Sequence, residues 1–257
     1  MPGLISVDWP APPRVRAATT SRLGGVSVAP YDSLNLGDHV GDHPAAVAAN
    51  RELLLEALAL PGEPLWLRQV HGRQVVHAER VAWDQTPAAD ACIASVPGAV
   101  CAVLTADCLP VLLCDRAGSV VAAAHAGWRG LAGGVLETSV AAMPVPAGEL
   151  MAWLGPAIGP RHFEVGEEVY AAFTGDDPQA VPAFVAAAKG HWYCDLYALA
   201  RRRLAAVGVT AVYGGDRCTY AEQHLFYSYR RDGQTGRMAS LVWLTEEPVG
   251  FGNNLLR

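Results

Sequence analysis

Three apolar runs follow one another in the middle of the chain, Ala99 to Thr105, Val111 to Asp115 and Val120 to His125, with only short polar breaks between them. Runs of this length and composition read as buried strands. Neither Asp107-Cys108-Leu109-Pro110 nor Ala117-Gly118 is long enough to hold a crossover helix. Neighbouring strands joined so tightly must pair antiparallel, which argues against a doubly wound nucleotide fold. No GxGxxG and no Walker sequence is present. Pro110 has no amide to give a sheet ladder, so the chain is expected to leave regular pairing beside Cys108.

The flanks supply both kinds of element. A helix is predicted from Ala45 to Leu58, with Val47, Leu54, Leu55 and Leu58 at helical spacing and Pro61-Gly62 as its stop. Leu65 to Val70 and Gln74 to Ala78 are predicted as two strands turning at His71-Gly72. A helix is expected from about Leu131 to Met143, starting just after Arg129-Gly130, where free amides favour an anion. Further on come a strand at Met151 to Leu154, a helix near Gly166 to Phe173, and another that starts at the N-cap Asp195 and stops at Gly208. The apolar run Leu241 to Leu244 closes the pattern. The 257 residues carry no repeat or linker, so the expectation is one α+β domain over 1–257, of mixed, largely antiparallel sheets flanked by helices.

Half the residues are hydrophobic (51%) and 17% are charged, which excludes a disordered chain. A net charge of −6 argues against nucleic-acid or anionic-membrane partners. The first residues show no basic segment followed by an apolar one, and no apolar stretch is long enough to span a bilayer. A cytoplasmic protein, monomeric, acting on a small molecule, is the expectation. Six cysteines are too few for a disulfide scaffold. Cys92, Cys101, Cys114 and Cys194 lie in apolar or strand-like surroundings and read as small buried hydrophobes.

Chemistry concentrates in three polar breaks. His125-Ala126-Gly127-Trp128-Arg129-Gly130 puts an imidazole, two glycines and a guanidinium at a strand end; Thr105 to Pro110 puts Cys108 at another; His71 stands in Arg68-Gln69-Val70-His71-Gly72. A cysteine thiolate and two neutral imidazoles suit Zn²⁺, and a catalytic zinc keeps one position for water. The same atoms allow a metal-free reading, with Cys108 as nucleophile, His125 or His71 as base and Asp107 as the group that orients an imidazole. His77 is expected inside a strand. His39, His43, His162, His191 and His224 have no partner cysteine in the sequence and are expected at the surface. Arg22 and Arg129, beside glycine turns, and Arg230 are candidate oxyanion or phosphate binders, whereas Arg51 and Arg231 read as surface ion pairs. Trp128 and Tyr229 could stack on a base.

Taken together, Thr20 to Ser27, Leu34-Asn35-Leu36, Asn50-Arg51, Gln69 to Gly72, Ala106 to Pro110, His125 to Gly130, Gly155 to Pro160 and Phe226 to Arg237 resemble the peptidoglycan-editing-factor or polyphenol oxidase family, also described as multi-specific purine nucleoside phosphorylases. They span nearly the whole chain in family order. The resemblance implies a zinc site of His71, Cys108 and His125, and catalysis by these residues with Asp107 carrying a proton. It implies phosphorolysis of adenosine, inosine, guanosine and methylthioadenosine, and adenosine deamination. Arg22, Asn35, Arg129, Tyr229 and Arg230 become the candidate contacts to nucleoside and phosphate. The implied fold is similar to that of toxin-type (cytotoxic-necrotizing-factor-like) cysteine hydrolases. The family's laccase label meets a chemical objection, since multicopper enzymes use paired His-x-His ligands and this chain has none. Copper could still occupy a Cys/His₂ site. Two further readings stay open: a hydrolase that removes a wrong amino acid from muramyl peptide precursors, and a non-catalytic binding module.

Overall fold

A computed structural model describes residues 1–82 and 84–246. In chain order its elements begin β1 (Leu4–Ile5), β2 (Val15–Thr20), α1 (Pro44–Leu58), β3 (Val75–His77), β4 (Ala91–Ala94), β5 (Val100–Thr105), β6 (Leu109–Asp115), β7 (Val121–Ala126), α2 (Trp128–Ala132) and α3 (Val135–Ala142). They continue with β8 (Leu150–Leu154), β9 (Glu164–Gly166), α4 (Glu167–Thr174), β10 (Phe184–Ala186), β11 (His191–Cys194), α5 (Leu196–Ala206), β12 (Ala211–Gly214), α6 (Tyr229–Asp232) and β13 (Met238–Leu244). The class is α+β, as the sequence predicts.

Two sheets pack face to face and carry helices on their outer sides. A six-stranded sheet has the order β12-β8-β6-β7-β4-β3, antiparallel except for the β12–β8 and β3–β4 edges; a four-stranded sheet runs β1-β2-β13-β5; a small sheet β10-β11-β9 stands apart. Strand periodicity explains the layering, because alternate residues face opposite sides. Cys101 and Val103 of β5 meet Cys92, Leu112, Cys114, Val121 and Ala123 of the larger sheet, whereas Val100, Ala102 and Leu104 face Leu54 of α1. The other side of the larger sheet presents Ile93, Val111, Leu113, Ala122 and Ala124 to Leu136 of α3 and to Leu199 and Leu204 of α5. The central strands are therefore apolar without alternation because both of their faces are covered. The four cysteines expected in the core are fully buried. Among the described residues no helix is long and apolar enough to cross a membrane.

Several local expectations are corrected. Pro110 lies inside β6, opposite His125. The amide of His125 goes to the Asp90 carbonyl on the other side (2.7 Å), and the Pro110 carbonyl accepts from Gly155 (2.9 Å), so the missing proline N–H leaves no gap toward β7. Residues 65–70 form no strand and no hairpin; their backbone makes only isolated bridges, Leu65 to Cys101 and Arg68 to Ala88, and β3 pairs parallel with β4. The side-chain amide of Gln69 replaces a ladder there, donating to the Leu104 carbonyl (2.8 Å) and accepting the Leu104 N–H (2.7 Å). The predicted helix from Leu131 to Met143 is two short helices, α2 and α3, because Gly133-Gly134 breaks it with Gly134 at φ 92°. Arg129 and Gly130 thus lie within α2, so their predicted place ahead of a helix start is wrong. Asp195 does cap α5, accepting the Ala198 N–H at 3.0 Å.

A candidate metal centre at the strand ends

The β6–β7 ladder brings two of the predicted ligands together. Pairing of Leu109 with Ala126 and of Pro110 with His125 sets the loop before β6 against the loop after β7, so Cys108 lies beside Gly127. A Cβ on Gly127 would stand 2.9 Å from Cys108 Sγ and 3.1 Å from the His71 ring, so this position tolerates only glycine without displacement. His71 comes from the third break, with φ 59°, a left-handed conformation that costs a non-glycine residue energy and must be held by its surroundings.

Asp90 does the holding. This carboxylate is fully buried at the start of β4 and accepts the backbone N–H groups of Val70 (3.2 Å), His71 (2.9 Å) and Gly72 (2.7 Å). Its Oδ1 also meets His125 Nδ1 at 2.8 Å, which leaves Nε2 of that ring for the centre. One side chain thereby fixes the turn that carries His71 and the tautomer of His125, an arrangement that orients metal-ligating histidines. Burial alone would raise its pKa, but the bond and charge of His125 and the amides of Gly72 and Val70 outweigh burial and hold it below the ordinary carboxylate value. Sequence reading missed Asp90, although an acidic residue opening the apolar strand Ala91–Ala94 is a visible anomaly.

The donor atoms of His71, Cys108 and His125 all lie within 4.8 Å of one another, and Cys108 Sγ is 4.0 Å from His71 Nε2. Tetrahedral zinc, with bonds of about 2.0–2.3 Å, needs ligand atoms roughly 3.3–3.6 Å apart. Closing the set takes a few tenths of an ångström at the Cys108–His71 pair and roughly an ångström at the widest pair, so the residues fit the ion. Desolvation opposes the Cys108 thiolate, yet the neighbouring His125 and His71 rings overcome it and bring the thiol down to about 6. His125, against the effect of its burial, is pushed up to about 9 by Cys108 and Asp90. A thiolate with two imidazoles around it is a soft, electron-rich pocket for a transition metal.

The other predicted residues are spread around this centre. Asp107, at φ 95°, spends Oδ1 on the Thr219 hydroxyl (2.6 Å) and Oδ2 on the Arg230 N–H (2.7 Å), while its carbonyl accepts from Ile158 (2.9 Å). Its visible work is to brace the Cys108 loop. Asn35 is fully buried and bonds Gly37, Asp42 and the Arg237 N–H. Arg22 clamps Asp32 and the Gln223 carbonyl and lies over the Tyr227 ring. Arg129 is exposed over Trp128, 3.6 Å from Glu168, and the Arg230 guanidinium bonds the Glu164 carbonyl. Arg51 and Arg231 do pair with Asp38 and Asp232, but they are not surface groups as expected: both side chains are largely buried and bond main-chain carbonyls, of Leu36 and of Thr219, Tyr220 and Phe226. Tyr229 is exposed and lines a cavity of about 380 Å³ with His39, Gln234 and Arg237.

Arg237 is the cation that sequence reading overlooked. Burial lowers its pKa, and the facing charges of Cys108 and Asp107 work against that lowering. Its Nη1 bonds the Thr235 and Gly236 carbonyls (both 2.9 Å), and its guanidinium lies 5.9 Å from the Tyr229 ring centre. His162 is corrected as well: it does have a cysteine partner, Cys218, at 3.5 Å.

Residues 16–245 match the family described as multi-copper polyphenol oxidoreductase laccase. A purine nucleoside phosphorylase of Pseudomonas aeruginosa is 56% identical over 94% of this chain and 98% of its own length. Purine nucleoside phosphorylase YfiH of Escherichia coli is 55% identical over 95% of this chain and 100% of its own. Among solved structures, the Neisseria meningitidis protein NMB0706 superposes with a TM-score of 0.91 at 55% identity, covering 94% of this chain and 99% of that one. YlmD from Geobacillus stearothermophilus gives 0.89 at 32%, over 95% and 97%. With the match running across nearly the whole length, the chain belongs to the multi-copper polyphenol oxidoreductase laccase family.

Proposed function

We propose that this chain is a zinc-dependent purine nucleoside phosphorylase that also deaminates adenosine and cleaves methylthioadenosine, built as one domain of the cysteine-hydrolase-like fold its sequence resembles. The observation that carries this reading is the convergence of Cys108, His71 and His125 on one point with Asp90 behind them. The names of relatives at 55–56% identity over almost the full length support the substrate class.

His71, Cys108 and His125 hold the metal. A zinc ion supplies Lewis acidity there and a water that ionises near neutral pH. Asp90 holds one proton of His125 on Nδ1, so Nε2 is the nitrogen that would give up its proton to face a metal. Arg237, with Nε and Nη2 without acceptors among the described residues, binds an anionic oxygen of phosphate, and the exposed Tyr229 ring beside it stacks on the purine. A phosphate oxygen then bonds to the anomeric carbon as the C–N bond breaks, and the leaving purine takes up the proton that the hydrogen phosphate gives up. Asn35 and Arg22 shape the wall behind these groups, and Asp107 keeps the Cys108 loop in place.

Inosine and phosphate given to metal-replete protein should yield hypoxanthine and ribose 1-phosphate, and chelation should abolish both. Absence of hypoxanthine would reject the reading. The family's description favours one second reading, copper at the same three donors, with phenol oxidation as its activity. Copper-loaded and zinc-loaded protein assayed side by side separate the two.

A further inference from the structure

A second thiol–imidazole pair lies outside the metal centre. Cys218, in the segment after β12, forms an isolated bridge with Ala157 and stands half-buried beside the loop that follows β8. Its sulfur accepts the backbone N–H groups of Gly159 (3.2 Å) and Ala221 (3.4 Å) and lies 3.5 Å from His162 Nδ1. Two amides hydrogen-bond this one sulfur, and an imidazole beside it stands where it can take the proton as the sulfur attacks. The His162 ring is held by stacking on Tyr220, with centroids 4.6 Å apart and planes 19° apart. Gly159 permits the approach, since a Cβ there would come within 3.0 Å of the sulfur.

A cleft of about 510 Å³ opens in front of this sulfur, lined by Arg161, Arg201 and Arg217 as well as Asp195 and Asp216. The cleft carries charges of both signs, three cations against two carboxylates. Arg201 is anchored on the Val212 and Gly214 carbonyls (2.8 and 2.6 Å), with no carboxylate partner among the described residues. Arg217 pairs with Glu222, yet its Nε is buried without an acceptor. Asp195 spends Oδ1 capping α5. Arg161 is exposed at the lip.

We infer that Cys218 is a thiol–disulfide exchange site that takes small disulfides bearing carboxylates. The Cys218 sulfur attacks one sulfur of the incoming disulfide, a new S–S bond forms to Cys218, and the original S–S bond breaks. The thiol proton passes to His162 Nδ1 and from the imidazolium to the departing thiolate. The Cys218 sulfur is oxidised and the leaving sulfur is reduced, so the disulfide itself is the oxidant. The arginines hold the carboxylates during the exchange.

Oxidised glutathione and the cationic disulfide cystamine, each applied to the zinc-loaded full chain, test this by peptide mass mapping. Native Cys218 should form the glutathione mixed disulfide at least about tenfold faster than the same residue in urea-unfolded protein. Oxidised glutathione should also outpace cystamine. His162→Ala should slow both reagents alike, roughly tenfold, and Arg161→Glu should reduce only the ratio between them. A Cys218 that reacts no faster folded than unfolded overturns the site. Equal rates for the two disulfides overturn the ligand class. Neither outcome depends on nucleoside turnover.

Discussion

Two cysteines of this chain face imidazoles, and their surroundings differ in ways that assign them different chemistry. Cys108 meets two histidines, one of which is backed by the buried carboxylate of Asp90. Cys218 meets one histidine and two main-chain amides, with arginines in front. Imidazole nitrogens offer lone pairs, so the first sulfur belongs to a set that can share a cation. Amides offer only protons, so the second sulfur gains hydrogen bonds without joining a set of lone pairs and stays free to attack. A cysteine beside a histidine is therefore not yet a function; the third and fourth neighbours decide it.

The largest expected effect breaks the comparison at its root. Cys108→Ala should remove stoichiometric zinc and lower phosphorolysis by on the order of a thousandfold, while glutathione modification of Cys218 continues unchanged. Elemental analysis with an inosine assay reads the first and mass mapping the second. Turnover that survives the substitution would end the metal reading.

Asp90→Asn comes next. It keeps the shape but weakens the hold on His125 and on the His71 turn, and should cost about 10–100-fold in zinc affinity. Chelator competition measures this, and unchanged affinity would mean that the carboxylate only supports the fold. Arg237→Gln sharpens the contrast between the two groups of arginines. The phosphate KM should rise by roughly tenfold or more, the nucleoside KM should move little, and Cys218 labelling should stay as before. A rise confined to the nucleoside KM would move Arg237 to the base.

The gentlest test changes no residue. In metal-stripped protein the Cys108 thiolate, with its pKa lowered to about 6, persists above that pH and is lost as the pH falls through it. Alkylation at Cys108 should thus be half-maximal near pH 6. Cys114 and Cys194, pushed by burial up to about 12, should stay unmodified in the folded chain. Half-maximal alkylation near pH 9 would show that the two imidazoles do not act on this sulfur.

Much of this was legible in the residues because strong local signals agreed with the tertiary result. The apolar runs at 99–105, 111–115 and 120–125 became β5, β6 and β7 within a residue or two, since strands covered on both faces need no polar positions. His71, Cys108 and His125 were found by their chemistry, and they do converge. What escaped depends on partners distant in the chain. Asp90 gains meaning only when three amides from residues 70–72 close around it. Gln69 does the work of a strand through its side chain, which no periodicity records. His162 and Cys218 are 56 residues apart and meet only because residue 157 bridges to 218. Pro110 misled because whether a missing N–H matters depends on which side of the strand needs one.

Asp90 has one more consequence, in the charge ledger of the centre. A dication, the Cys108 thiolate and this carboxylate sum to zero, so the loaded centre exerts no net pull on an incoming phosphate beyond a few ångströms. Long-range recruitment of the anion then falls to arginines, whose field salt screens. Added potassium chloride should raise the phosphate KM while leaving that for uncharged inosine where it was.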